Sequence, residues 1–113
     1  MSESILISIK KLLGITAENT DFDQDIILHI NSVFMILKQL GVGPAEGFRI
    51  EDKTATWDEF VEDELHFDAV KSYIYYKVKL LFDPPTNGTV MEATNRVINE
   101  LEWRLNINAE SIQ

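Results

Sequence analysis

The chain has 113 residues, a mass of 13.0 kDa, no cysteine and a formal net charge of −9. That is the size of one domain with one core, and its 45% apolar and 26% charged content is ordinary globular usage rather than disorder. The missing cysteines exclude a disulfide scaffold, thiolate metal sites and thiol catalysis, and the acidic balance disfavours duplex nucleic acid and anionic membranes, both of which recruit cations.

A first helix is predicted from Ser4 to Leu13, where Ile5, Ile9, Leu12 and Leu13 recur at helical spacing and Gly14 stops the run. Glu3 precedes this apolar stretch and Lys10–Lys11 interrupt it, the wrong order for a signal peptide. No run approaches the roughly 20 apolar residues of a membrane span. The expectation is a cytosolic product with no membrane role.

The second helix is predicted over Phe22–Leu40. Thr20 or Asp21 can cap it, Asp23 and Asp25 suit the positive end of its dipole, and Gly41 ends it. Its packing seam is Ile26, Ile30, Val33, Leu37 and Leu40. The stretch 41–56, with three glycines and a proline, is the longest irregular segment; loops of such length are usually functional or mobile, and Phe48–Ile50 with Thr54–Trp57 is a candidate short β-hairpin.

Thr56-Trp57-Asp58-Glu59 reads as a capping box that opens a short helix at Trp57. A long helix follows over Leu65–Phe82, with Phe67, Val70, Ile74, Val78 and Leu81 as its core face, and Pro84–Pro85 end it. Thr89-Val90-Met91-Glu92 is a second capping box, opening a last helix to about Asn106. Its expected seam is Val90, Val97, Leu101 and Leu105, with Thr94 and Ile98 beside it, and the polar tail 107–113 is expected to fray. The fold class is therefore all-α: a single domain, residues 1–113, built as a small bundle of four to five helices with one long loop between the second and third.

At about 100° per residue, some apolar side chains fall outside these core faces. Leu28 and Met35 lie on the far side of the second helix, Tyr75, Tyr76 and Phe82 wrap the third, and Trp103 stands on the polar side of the last. A domain this small can cover only a few helical faces, so these six residues are candidate subunit or partner contacts. For Tyr73 and Leu80, burial inside a central helix is an equally good reading.

Charge is uneven as well. Residues 46–68 carry nine acids against Arg49 and Lys53, while 69–113 are neutral. Glu51, Asp52, Asp58, Glu59, Glu62, Asp63 and Glu64 form a candidate acidic patch.

No catalytic, metal or cofactor site emerges. Asp21-Phe22-Asp23-Gln24-Asp25 imitates half an EF-hand loop but has Ile26 where the turn requires glycine and Ser32 where a bidentate glutamate should close it. Gly41-Val42-Gly43-Pro44 follows a helix rather than a strand and lacks a phosphate-binding lysine. His29 and His66 have no companions at ligand spacing; His29 reads as a half-buried structural residue. Lys77 lies in the middle of an apolar face and Arg104 at the edge of another; each either snorkels or pairs with an acid.

The order of motifs is nonetheless distinctive. Phe22-Asp23-Gln24-Asp25-Ile26-Ile27 leads to Gln39-Leu40-Gly41-Val42-Gly43-Pro44, then Leu80-Leu81-Phe82-Asp83-Pro84-Pro85, then Leu101-Glu102-Trp103-Arg104-Leu105. Over residues 4–106 this resembles the small head–tail connector (adaptor) proteins of long-tailed bacteriophages and prophages. The resemblance implies a structural virion protein without enzymatic activity or cofactor. It would be made in the bacterial cytoplasm and built into a ring of about a dozen copies by cyclic contacts beneath the portal. Such a ring extends the DNA channel, lets DNA pass without specific binding, and docks stopper or tail-completion proteins. The acidic patch would then face the channel or rim it. An alternative from another class is an acidic DNA mimic that inhibits a host nucleic-acid enzyme, although its carboxylates would have to spread along an extended surface.

Overall fold

Ser4 opens α1 (Ile5–Leu12), its hydroxyl accepting the Ile7 N–H at 3.2 Å. The computed structural model describes residues 2–61 and 64–112. The elements after α1 are α2 (Asp23–Gln39), a single 3-10 turn (Trp57–Glu59), α3 (Glu64–Phe82) and α4 (Gly88–Ile112). The all-α expectation holds. The molecule measures 40 × 36 × 20 Å, and its shortest dimension is about two helix diameters. In a slab of that thickness every helix keeps one side toward solvent.

The helix ends are mostly local chemistry. Gly41 ends α2 at a φ of 85°, a backbone region open to glycine, and the Val42 N–H returns to the Leu37 carbonyl at 2.9 Å. Two expected caps are replaced. Phe22, not Thr20 or Asp21, precedes α2 and gives it no side-chain cap, because a phenyl ring has no acceptor for the free N–H groups; the ring packs edge-on against Phe82 at 5.5 Å instead. Asn87, not Thr89, caps α4: its side-chain oxygen accepts the Thr89 and Val90 N–H groups at 2.8 and 3.3 Å, so the helix begins at Gly88. α4 also runs well past Asn106, to Ile112.

The core joins Ile5, Leu6 and Ile9 of α1, Ile26, Ile30, Val33, Phe34 and Leu37 of α2, Val70, Tyr73, Ile74 and Val78 of α3, and Ile98 and Leu105 of α4. α2 therefore buries the seam that its spacing predicts, with Leu40 half-buried at the end. Two expectations fail. Leu81 is 53% exposed, and on α4 Val90 and Val97 face solvent while Met91, Thr94, Ile98, Leu101 and Leu105 form the inward stripe. Spacing alone could not decide which edge of a broad apolar stripe meets α3.

The segment 41–61 is neither a hairpin nor loose. The only bridge among the described residues joins Ser4 to Thr56, with the Ile5 N–H on the Ala55 carbonyl and the Trp57 N–H on the Glu3 carbonyl. Asn31 of α2 acts as a one-residue strand partner, its amide donating to the Ile50 carbonyl (2.9 Å) and accepting the Ile50 N–H (2.8 Å). Phe34, Phe48 and Phe60 form a three-ring cluster with centroids 4.7–5.3 Å apart. Gly43, at a φ of 91°, lets the chain pass that cluster: a Cβ there would lie 2.2 Å from the Phe60 ring. Trp57 is fully buried, with its indole N–H on the Ser8 hydroxyl at 3.1 Å and its ring edge-on to Phe67.

Lys10 is the core residue that sequence periodicity misses. It is fully buried, and its three donors meet the Ala17 carbonyl (3.2 Å), the Asn19 carbonyl (2.7 Å) and the Asp23 carboxylate (2.8 Å). This internal cation ties the α1–α2 connection together and uses the central carboxylate of the calcium-like run.

Candidate interaction surfaces

Three of the six apolar candidates stand in solvent: Leu28 is 64% exposed, Met35 67% and Trp103 64%. Leu28 and Met35 share the outer side of α2, and Trp103 lies on the outer side of α4. Tyr75, Tyr76 and Phe82 are half-buried at the edge of the core. The two tyrosine rings pack against each other at 5.1 Å, and Phe82 is held by Phe22. Tyr73 sits wholly inside the core. Its hydroxyl is buried with no hydrogen-bond partner among the described residues, and burial, together with the Glu102 carboxylate, raises its pKa well above the usual phenol value.

Val90, Val97, Ile107 and Leu81 add exposed apolar surface that spacing assigned to the core or left unmarked. Leu28 and Leu81 also flank an open groove of about 470 Å3 between α2 and α3, in which His29, half-buried as expected, and Lys77 are set. Lys77 has neither ion pair nor hydrogen bond among the described residues, whereas Arg104 pairs with Glu100 one turn away at 2.6 Å.

The acidic candidates divide by local role. Glu51, Asp52, Asp58 and Glu59 are exposed around the turn that carries Trp57. The Glu59 carboxylate accepts the Thr56 N–H at 2.6 Å, completing the capping box, and Asp58 accepts the Thr56 hydroxyl. Asp52 accepts both the hydroxyl and the N–H of Thr54, which lowers its pKa with a smaller contribution from Lys53. Asp52, Asp58 and Glu59 therefore shape the turn through their hydrogen bonds. Glu62, Asp63 and the Glu64 side chain lie outside the described residues.

Among the described residues no three His, Asp or Glu side chains gather as a metal site, and no helix is long and apolar enough to cross a membrane. The distinguishing features are interaction surfaces rather than a reaction centre. A family model described as phage connector protein matches residues 5–111, nearly the whole chain. The chain belongs to the phage connector protein family. No curated protein and no solved structure gives a significant match. Phage connector proteins are structural, and membership makes this one a virion component that associates with portal and tail parts. In this connector the most exposed large apolar side chains, Leu28, Met35 and Trp103, lie on helices, while Glu51, Asp52, Asp58 and Glu59 cluster in and just before the turn that precedes α3.

Proposed function

We propose that the chain is the subunit of a homomeric ring of about a dozen copies, held by repeated cyclic contacts beneath the portal. In this role it extends the DNA channel and offers a surface to stopper or tail-completion proteins. The observation that carries the proposal is the exposure of Leu28, Met35 and Trp103 on two different helices. Single exposed apolar residues are common, but a 13.0 kDa chain with apolar side chains on the outer faces of two helices has the two distinct surfaces that a cyclic contact needs.

The acidic turn has a separate role. With Glu51, Asp52, Asp58 and Glu59 directed to the channel, the wall repels phosphates and lets packaged DNA slide without specific binding, the converse of the counterion release that makes basic grooves adhere. Asp52 supports this because its lowered pKa favours its own charged form.

Electron microscopy of the full chain mixed with its portal tests the reading. The expected result is a ring in register with the portal, the acidic turn on the inner wall. Absence of any ring on the portal overturns the assembly role; a ring with these carboxylates on its outer wall overturns the sliding role.

A further inference from the structure

The core face of α3 continues beyond the core. Val70, Ile74 and Val78 are buried on it, and the same stripe carries the half-buried Lys77 and the exposed Leu81. Across from them α2 presents Leu28, Val33 and Ile36, and the two helices bound the open groove of about 470 Å3. The groove stays open because α4 lies on α3 and is tied to α2 at its C-terminal end, where the Asn106 amide donates to the Leu40 carbonyl at 3.3 Å. The first turns of α4 are exposed.

An apolar groove with one unpaired cation is complemented by an apolar stripe that carries one acid. α4 has such a stripe. Val90, Ala93, Val97 and Glu100 recur on one side of the helix, all exposed. Val97 precedes Asn106 by nine residues, which at about 100° each is half a turn. The stripe is therefore directed away from the side that α4 turns toward α2. Among the described residues Glu100 is engaged by the exposed Arg104 alone, a pair of small energetic weight that a new partner can displace.

We propose that the α2–α3 groove of one subunit receives the Val90–Val97 side of α4 from a second copy, with Glu100 meeting Lys77. Short valine and alanine side chains allow the close axis separation of packed helices, roughly 8–10 Å. Because groove and stripe are different surfaces of one chain, the contact is head-to-tail and can repeat from copy to copy, as ring closure requires. The inference rests on the self-assembling reading of the connector and names the surfaces that reading leaves open.

The absence of cysteine makes the test direct. Full-length Leu81→Cys and Val97→Cys variants, both at exposed positions, are mixed on the portal under mild oxidation. The mixed pair is expected to give the covalent dimer, while either variant alone does not. Adding Lys77→Glu to the Leu81→Cys chain abolishes the dimer, and adding Glu100→Lys to its partner restores it. Rings on the portal without the mixed cross-link overturn this contact and leave the connector reading standing. A cross-link of Val97→Cys with itself overturns it in favour of a two-fold contact. Failure to assemble on the portal at all overturns both.

Discussion

The segment 41–61 and the first half of α4 reverse the usual relation between regularity and burial. The irregular segment is pinned by the Asn31 clamp, the three-ring phenylalanine cluster, the Ser4–Thr56 bridge and the fully buried Trp57. The regular one has satisfied backbone hydrogen bonds but presents most side chains of residues 88–97 to solvent. A helix satisfies its own backbone and can stand partly bare, whereas an irregular backbone needs side chains and neighbouring chain to complete its hydrogen bonds. In this connector the long loop is consequently part of the scaffold, and most of the exposed large apolar side chains lie on helices.

The largest effect is expected at Trp57. Trp57→Ala is expected to cost about 3–5 kcal/mol in urea unfolding, since it empties the contact joining the loop to α1 and α3. A loss under about 1 kcal/mol would mean that the loop is not part of the core. Asn31→Ala comes next, at about 2–3 kcal/mol, because both polar groups of the Ile50 backbone lose their partner. Hydrogen exchange should show the Ile50 amide losing protection.

Tyr73→Phe sharpens the comparison by sign. It removes a buried hydroxyl that has no partner among the described residues, so stability should hold or rise by up to about 1 kcal/mol. On the bare helix, Val90→Ser with Val97→Ser should change unfolding by less than about 0.5 kcal/mol. The smallest effect is at Asp52. Its pKa is lower folded than unfolded, so its turn is supported above the ordinary carboxylate range and loosens as pH falls through the folded value. The Thr54 amide shift should follow that loss in acid and stay flat near neutrality.

Much of this architecture was legible in the sequence because its signals are local. Ser4, Gly41 and the paired prolines mark helix ends within a few residues, and the α2 seam follows from period alone. What escaped is nonlocal. Asn31 reaches Ile50 19 positions away and Trp57 reaches Ser8 49 positions away, so no window of sequence contains either contact. The burial of Lys10 has no local signal, because its three oxygen partners come from the loop and helix that follow. The exposed positions Leu28, Met35 and Trp103 were readable because each lies opposite its helix's core stripe. The groove was not, because it depends on how α4 sits relative to α2.

The central claim is that this apolar surface is covered by other copies of the chain when the connector assembles. Acrylamide quenching of tryptophan fluorescence measures it directly, since Trp57 is buried and Trp103 carries the exposed signal. The account predicts that Trp103 is readily quenched in the free chain and shielded in the ring assembled on the portal. Equal quenching in the two states would show that its face remains open to water and contradict the claim.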